Sequence, residues 1–72
     1  MIKKLTEKKR ERLVFDCIER IVGNERFDMI GENDWDRIDD EILRYKYTKK
    51  LSNFEIFKLR KLLKKIKDQW TI

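Results

Sequence analysis

Residues 51–70, LSNFEIFKLRKLLKKIKDQW, decide the fold because they carry the clearest helix signal in the chain. Ser52 and Glu55 have the spacing of a capping box, in which each side chain satisfies a backbone N–H of the first turn. Leu51 and Ile56 have the spacing of a hydrophobic staple across the same helix start. Beyond that start, apolar residues recur at steps of three and four. This seam, widened by Leu62, predicts an amphipathic helix and consists of Ile56, Leu59, Leu63, Ile66 and Trp70.

A second helix precedes this one, over residues 35–46, with Asn33 or Asp34 as its predicted N-cap. Its apolar stripe follows the same three-and-four spacing. The stripe consists of Trp35, Ile38, Ile42 and Tyr45. A short loop over residues 47–51 separates the two helices, which therefore form an antiparallel hairpin.

Further toward the N-terminus, the sequence predicts a helix that is capped by Thr6 and ends at Val22, before Gly23. Apolar side chains cover about 200° of its circumference, which is typical of a central helix with neighbours on two sides. Residues 24–33 are less regular and predict one short turn, capped by Asn24, carrying Phe27 and Ile30 and ended by Gly31. We therefore expect an all-α bundle of three or four helices, a single domain over residues 1–72, with residues 1–6 as a candidate flexible basic arm.

Composition excludes several functional classes. The 72 residues include one Cys and no His, so a structural zinc site, a disulfide framework and a Ser–His or Cys–His catalytic pair cannot form. We expect a non-enzymatic protein without a cofactor. No apolar run approaches the roughly 18 residues of a membrane span, and the N-terminus lacks the apolar core of a signal peptide. We therefore expect a cytoplasmic location and no membrane partner.

Charge is unevenly distributed along a chain whose net charge is +5. Residues 24–43 carry a net charge of −6, whereas residues 44–72 carry +8. The clustered carboxylates of the acidic block raise the question of a cation site, but no EF-hand loop fits their spacing. Acidic residues in a first helical turn are favoured by the helix dipole, so we expect no metal. Cys17 lies within the apolar arc of the first helix and is expected to be a buried, structural residue.

The C-terminal helix presents a basic face opposite its seam. A lysine-rich face of this kind either binds phosphates without sequence preference or is simply solvated. Phe57 projects about 100° from the seam, among Arg60, Lys61 and Lys64, and an aromatic within a charged surface is typical of a binding anchor. Phe54 is instead expected to lie beneath the loop, packed by Tyr45 and Tyr47. Whether Phe57 is an anchor or part of a widened core stays open.

Our leading hypothesis is a small protein of the phage or mobile-element type that regulates or inhibits a larger macromolecule with an acidic surface. Its predicted partner-binding residues are Phe57, Arg60, Lys61, Lys64, Lys65 and Lys58. The alternative is sequence-independent DNA or RNA binding by the same lysines and the basic residues 3–12. A third hypothesis is that the interface is an acidic patch, which is formed by Trp35, Asp36, Asp39 and Asp40. The seam of the last helix could also form a homodimer, although a bundle core is the favoured reading.

Overall fold

The computed structural model describes residues 5–23 and 29–70, which form three helices around one apolar core. The helices are α1 (Glu7–Val22), α2 (Glu32–Thr48) and α3 (Asn53–Trp70). The predicted all-α bundle with a C-terminal helical hairpin is therefore confirmed. Within the described ranges, no helix combines the length and the apolar character that crossing a membrane requires.

Both ends of α1 agree with the sequence prediction. The hydroxyl of Thr6 accepts a hydrogen bond from the backbone N–H of Lys9 at 3.2 Å. At the other end, Gly23 has a φ of 74°, and its N–H donates to the carbonyl of Glu19 at 2.7 Å. Glycine suits this position because residues with a Cβ are strained at positive φ.

The candidate basic arm is shorter than residues 1–6. Leu5 is buried in the core and Thr6 caps α1, so both residues belong to the bundle. The rest of the predicted arm, residues 1–4, lies outside the described residues.

The bounds of α2 differ from the prediction at both ends. The helix begins at Glu32 after Gly31, which makes no side-chain cap, so the predicted cap at Asn33 or Asp34 is wrong. Glycine is tolerated as an N-cap, and carboxylates in the first turn interact favourably with the helix dipole.

At its other end α2 continues through Thr48, whose hydroxyl donates to the carbonyl of Arg44 at 3.2 Å. The loop is therefore shorter than predicted and reverses the chain at Lys50, which has a φ of 53°. In the segment before α2, the predicted turn residues Asn24 and Phe27 lie outside the described residues. Met29 lies in a short 3₁₀ turn, Ile30 is half-buried against the core, and Gly31 separates this turn from α2.

The start of α3 confirms half of the predicted capping box. The hydroxyl of Ser52 accepts a hydrogen bond from the N–H of Glu55 at 3.2 Å, and the two staple positions, Leu51 and Ile56, are both buried. The seam of α3 is buried in the core of its own chain, as expected for a bundle core rather than a homodimer interface. Its last member, Trp70, is half-buried, with its ring centroid 5.9 Å from that of Phe15 and 6.2 Å from that of Trp35.

Two ion pairs define the register of the hairpin. Asp39 pairs with Arg60, and Glu32 pairs with Lys67 at 3.1 Å. A step of seven residues along α2 thus corresponds to seven residues backward along α3, so the two helices are antiparallel. Helix α1 packs against both of them and covers one face of the hairpin, which leaves the opposite face exposed.

Candidate functional site

The hairpin brings together the basic face of α3 and the acidic patch of α2, which the sequence analysis proposed as two alternative interfaces. Arg60 of the basic face donates two hydrogen bonds to the carboxylate of Asp39, from Nε at 2.9 Å and from Nη2 at 3.1 Å. The bond to Asp39 raises the pKa of Arg60 above its ordinary value. Arg60 therefore already has a counter-charge within the chain, and its role in binding a partner stays a prediction.

A groove of about 590 Å³ runs along the exposed face between α2 and α3. Phe57, Lys61 and Lys64 line it from α3, and Asp36 and Asp39 line it from α2. The groove therefore combines one exposed aromatic ring with charges of both signs.

Trp35 also lines this groove but is only 4% exposed, because its ring packs against Trp70. It belongs to the core and cannot act as the exposed aromatic of an acidic interface. Of the predicted acidic patch, Asp39 is held by Arg60, so Asp36 and Asp40 alone remain exposed and without an ion pair to any described residue.

Exposed aromatic rings cluster where α2 ends and α3 begins. Phe57 is 60% exposed and Phe54 is 57% exposed, so the expectation that Phe54 lies beneath the loop is wrong. Tyr47, which was expected to help cover it, is 77% exposed. Phe54 lies in the first turn of α3, on the side of the helix away from its buried seam, and the loop packs Leu51 into the core.

A lysine accompanies each of these exposed rings. The Nζ atom of Lys58 lies 4.7 Å from the ring centroid of Phe54, and that of Lys61 lies 6.0 Å from Phe57. Lys46 lies 5.9 Å from the ring of Tyr47. A cation over a ring face is attracted by the quadrupole of the ring, by about 0.5–1 kcal/mol at an exposed site. The rings are thus partly shielded from water by flexible side chains that a partner could displace.

The remaining predicted lysines lie along the outer side of α3. Lys61 and Lys64 form a ridge that borders the α2–α3 groove on one side. On the other side, Lys58 and Lys65 line a second groove of about 840 Å³, together with Arg10 of α1. No ion pair among the described residues includes any of these four lysines.

The acidic cluster is organised by arginines. Asp34 lies 3.7 Å from Arg37, and Glu41 lies 3.2 Å from Arg20 and 3.7 Å from Arg44. Over the part of the chain that the structure describes, no three acidic or cysteine side chains converge in a way that could hold a metal ion.

Cys17 is buried in the core, as predicted, and its thiol donates to the carbonyl of Ile38 at 3.8 Å. Burial raises the pKa of the Cys17 thiol, so it stays protonated at neutral pH and is a weak nucleophile. Burial also raises the pKa of the neighbouring Tyr45 to about 12, and its hydroxyl accepts a hydrogen bond from Arg20 at 3.4 Å. These groups therefore support the core rather than a reaction.

A largely buried charged contact joins α1 to α3 and was not predicted from the sequence. Arg10 of α1 donates two hydrogen bonds to the carboxylate of Glu55, from Nε at 2.9 Å and from Nη2 at 3.1 Å. Glu55 occupies the capping-box position, and the sequence gives no sign that its side chain turns to another helix instead of reaching back. The pair ties α1 to the start of α3, immediately beside the exposed Phe54.

No known family model, curated protein or solved structure matches this chain. The assignment of a function therefore rests on the geometry of the site.

Proposed function

We propose that this chain is a small, non-enzymatic binding protein that regulates or inhibits a larger protein by docking on an acidic surface of it. The docking surface is the lysine–phenylalanine surface of α3, formed by Phe54, Phe57, Lys58, Lys61, Lys64 and Lys65. One observation carries the proposal: Phe54 and Phe57 are more than half exposed, and each has a lysine ammonium group over its ring.

Two exposed phenylalanines one helical turn apart are unusual on a domain that needs its apolar residues for its own core. Burying such rings against a partner removes apolar surface from water, and central aromatic residues are common hot spots of protein interfaces. The lysines over the rings form no ion pair with any described carboxylate and can pair with those of the partner. Their charge accelerates the encounter, while the rings slow dissociation.

Arg60 contributes to this surface indirectly. Its two-point pair with Asp39 fixes one edge of the groove beside Phe57 and Lys61. The cations offered to a partner are then the lysines around it rather than Arg60 itself.

Sequence-independent nucleic-acid binding is the second candidate. Exposed aromatic rings flanked by lysines also favour single-stranded nucleic acid, because bases stack on such rings while the cations contact phosphates. The carboxylates of Asp36 and Asp68, however, line the same groove as Lys61 and Lys64 and would repel a phosphate backbone. The carboxylates of a protein partner can be confined to the lysine side of the groove, whereas a nucleic-acid backbone carries a phosphate at every nucleotide, so this observation favours a protein partner.

The test is a selection of random peptides on the immobilised protein, followed by affinity measurements of the selected peptides. We expect the selected peptides to combine carboxylates with apolar residues. Phe57→Ala should weaken their binding by about thirtyfold or more, which corresponds to about 2 kcal/mol. Lys8→Ala, which removes an exposed lysine of α1, is the control and should have no effect. Peptides without carboxylates, or equal binding by Phe57→Ala, would contradict the proposal.

The nucleic-acid alternative is tested by titrating a random DNA duplex and a single-stranded RNA at increasing salt. Micromolar binding with a steep salt dependence, abolished by charge reversal at both Lys61 and Lys65, would replace the protein partner by a nucleic acid. Phe57→Ala should then weaken binding of the single-stranded RNA, whose bases can stack on the ring, and leave binding of the duplex unchanged.

A further inference from the structure

We propose that two copies of this chain associate through their exposed α2–α3 faces, and that this association masks Phe54, Phe57, Lys61 and Lys64 of the lysine–phenylalanine surface. The inference rests on the proposed function, because it names how access to that same surface is regulated. Its basis is the pattern of unpaired charges and exposed apolar side chains on the two helices of the hairpin.

The register of the hairpin determines which residues lie at the same level. Asp39 is level with Arg60, and each further residue along α2 is level with the preceding residue along α3. On this scale Asp36 is level with Leu63, one residue from Lys64. Asp40 is level with Leu59, two residues from Lys61. Two residues correspond to about 3 Å along a helix axis, which a lysine side chain spans easily.

The apolar side chains follow the same rule. Leu43, which is 39% exposed, is level with Ile56, one residue from Phe57. Tyr47 is level with Ser52, two residues from Phe54. Each of the two acids of α2 without an ion pair therefore has a lysine of α3 within two residues of its level, and Leu43 and Tyr47 each have an exposed phenylalanine within two residues.

A twofold axis parallel to the hairpin converts these matching levels into contacts between two copies. Rotation by 180° about this axis lays α2 of one copy over α3 of the other without changing the level of any residue. Asp36 then meets Lys64 of the second copy, and Asp40 meets its Lys61. Because such an interface is isologous, every contact occurs twice.

The apolar residues fill the same interface. Leu43 meets Phe57 of the second copy, and Tyr47 meets Phe54. The pair between Asp39 and Arg60 stays within each chain, near the axis. The arrangement leaves no lysine facing a lysine and no carboxylate facing a carboxylate among these residues.

This complementarity favours a second copy over a uniformly acidic partner as the occupant of the whole face. An acidic partner lying across both helices would oppose Asp36 and Asp40, whereas a second copy supplies a lysine to each of them. The dimer covers Phe57, Lys61 and Lys64, which the proposed function assigns to the partner. Dimer and partner complex are therefore mutually exclusive, and the free monomer is the form that binds.

The test uses sedimentation velocity of the full chain over a range of protein concentrations. We expect wild type to approach twice the 9.0 kDa mass of one chain as its concentration increases. Asp36→Lys and Lys64→Glu should each weaken association by about tenfold or more. Either substitution places two like charges against each other at both symmetry-related contacts of the dimer. Far-ultraviolet circular dichroism verifies that both exposed positions tolerate the change.

The decisive sample is an equimolar mixture of these two variants. The contact joins position 36 of one copy to position 64 of the other. The Asp36→Lys chain has lysine at both of these positions, and the Lys64→Glu chain has a carboxylate at both. In the heterodimer both contacts therefore join opposite charges, and the mixture should associate about as strongly as wild type. Lys8→Glu makes the same charge change at an exposed position of α1, outside the α2–α3 face, and should leave association unchanged.

A wild-type chain that remains monomeric at all concentrations, or a mixture that fails to restore association, would overturn the proposed dimer. Binding of the selected acidic peptides is measured separately on the Asp36→Lys variant, which keeps the complete lysine–phenylalanine surface. Peptide binding without dimerisation rejects only the dimer, and dimerisation without peptide binding rejects only the proposed partner.

Discussion

Arg10 and Glu55 form the same two-point ion pair as Arg60 and Asp39, with N–O distances of 2.9 and 3.1 Å in each pair. The two pairs differ in burial. The side chain of Glu55 is 2% exposed and that of Arg10 is 15% exposed, whereas those of Asp39 and Arg60 are 30% and 49% exposed. Water screens the exposed Arg60–Asp39 pair far more than the buried Arg10–Glu55 pair. Although the two pairs have the same geometry, we therefore expect the loss of the buried pair to reduce stability more.

Removing the carboxylate charge from each pair tests this difference. Glu55→Gln leaves the partly buried guanidinium of Arg10 with only the weaker charge interaction of Glu7, and we expect a loss of about 3 kcal/mol in the free energy of unfolding. Asp39→Asn, the matched control in the exposed pair, should cost less than about 1 kcal/mol. Urea unfolding followed by circular dichroism measures both. Equal losses would show that burial does not distinguish the two pairs.

The buried pair also predicts how stability depends on pH. The hydrogen bond from Arg10 holds the pKa of Glu55 below its ordinary value. The pair therefore stabilises the fold fully above the ordinary glutamate pKa, and this stabilisation is lost as the pH falls through the lower folded value. The difference in unfolding free energy between wild type and Glu55→Gln should shrink on acidification below about pH 4.5. A difference that stays constant into strong acid would contradict this role of the Glu55 charge.

Periodicity alone was sufficient to predict the helices and their buried faces. The residues that the three-and-four spacing predicted to be buried in α2 and α3 are buried in the structure, except for Trp70, which is half-buried. The ends of α1 were predictable because Thr6 and Gly23 act through local backbone geometry. The ends of α2 were not, because its N-cap, Gly31, provides no side-chain signal and neither Gly nor Pro stops the helix before Thr48.

The candidate site was harder to predict because it depends on contacts between helices. The sequence indicated Phe57 and the lysines, but it treated Arg60 and Asp39 as members of competing surfaces. Their pairing follows from the register of the hairpin, which the short loop sets and which helical periodicity does not specify.

The two exposed phenylalanines should be dispensable for folding. Because Phe54 and Phe57 lie outside the core, replacing either with alanine should change the free energy of unfolding by no more than about 0.5 kcal/mol. Leu59→Ala, in the fully buried seam of the same helix, should instead cost about 2–5 kcal/mol. Thermal and urea unfolding of the three variants provides the comparison. A large loss for Phe57→Ala would assign this ring to the fold rather than to binding.

Cys17 provides a chemical probe of the core. Its side chain is fully buried and burial raises the pKa of its thiol, so a disulfide reagent can react only after the bundle opens. At about pH 8, labelling of the native protein should be at least about a hundredfold slower than labelling in concentrated urea. Glu55→Gln, which destabilises the contact between α1 and α3, should accelerate labelling, whereas Phe57→Ala should not. Rapid labelling of the native wild type would mean that α1 separates from the hairpin without global unfolding.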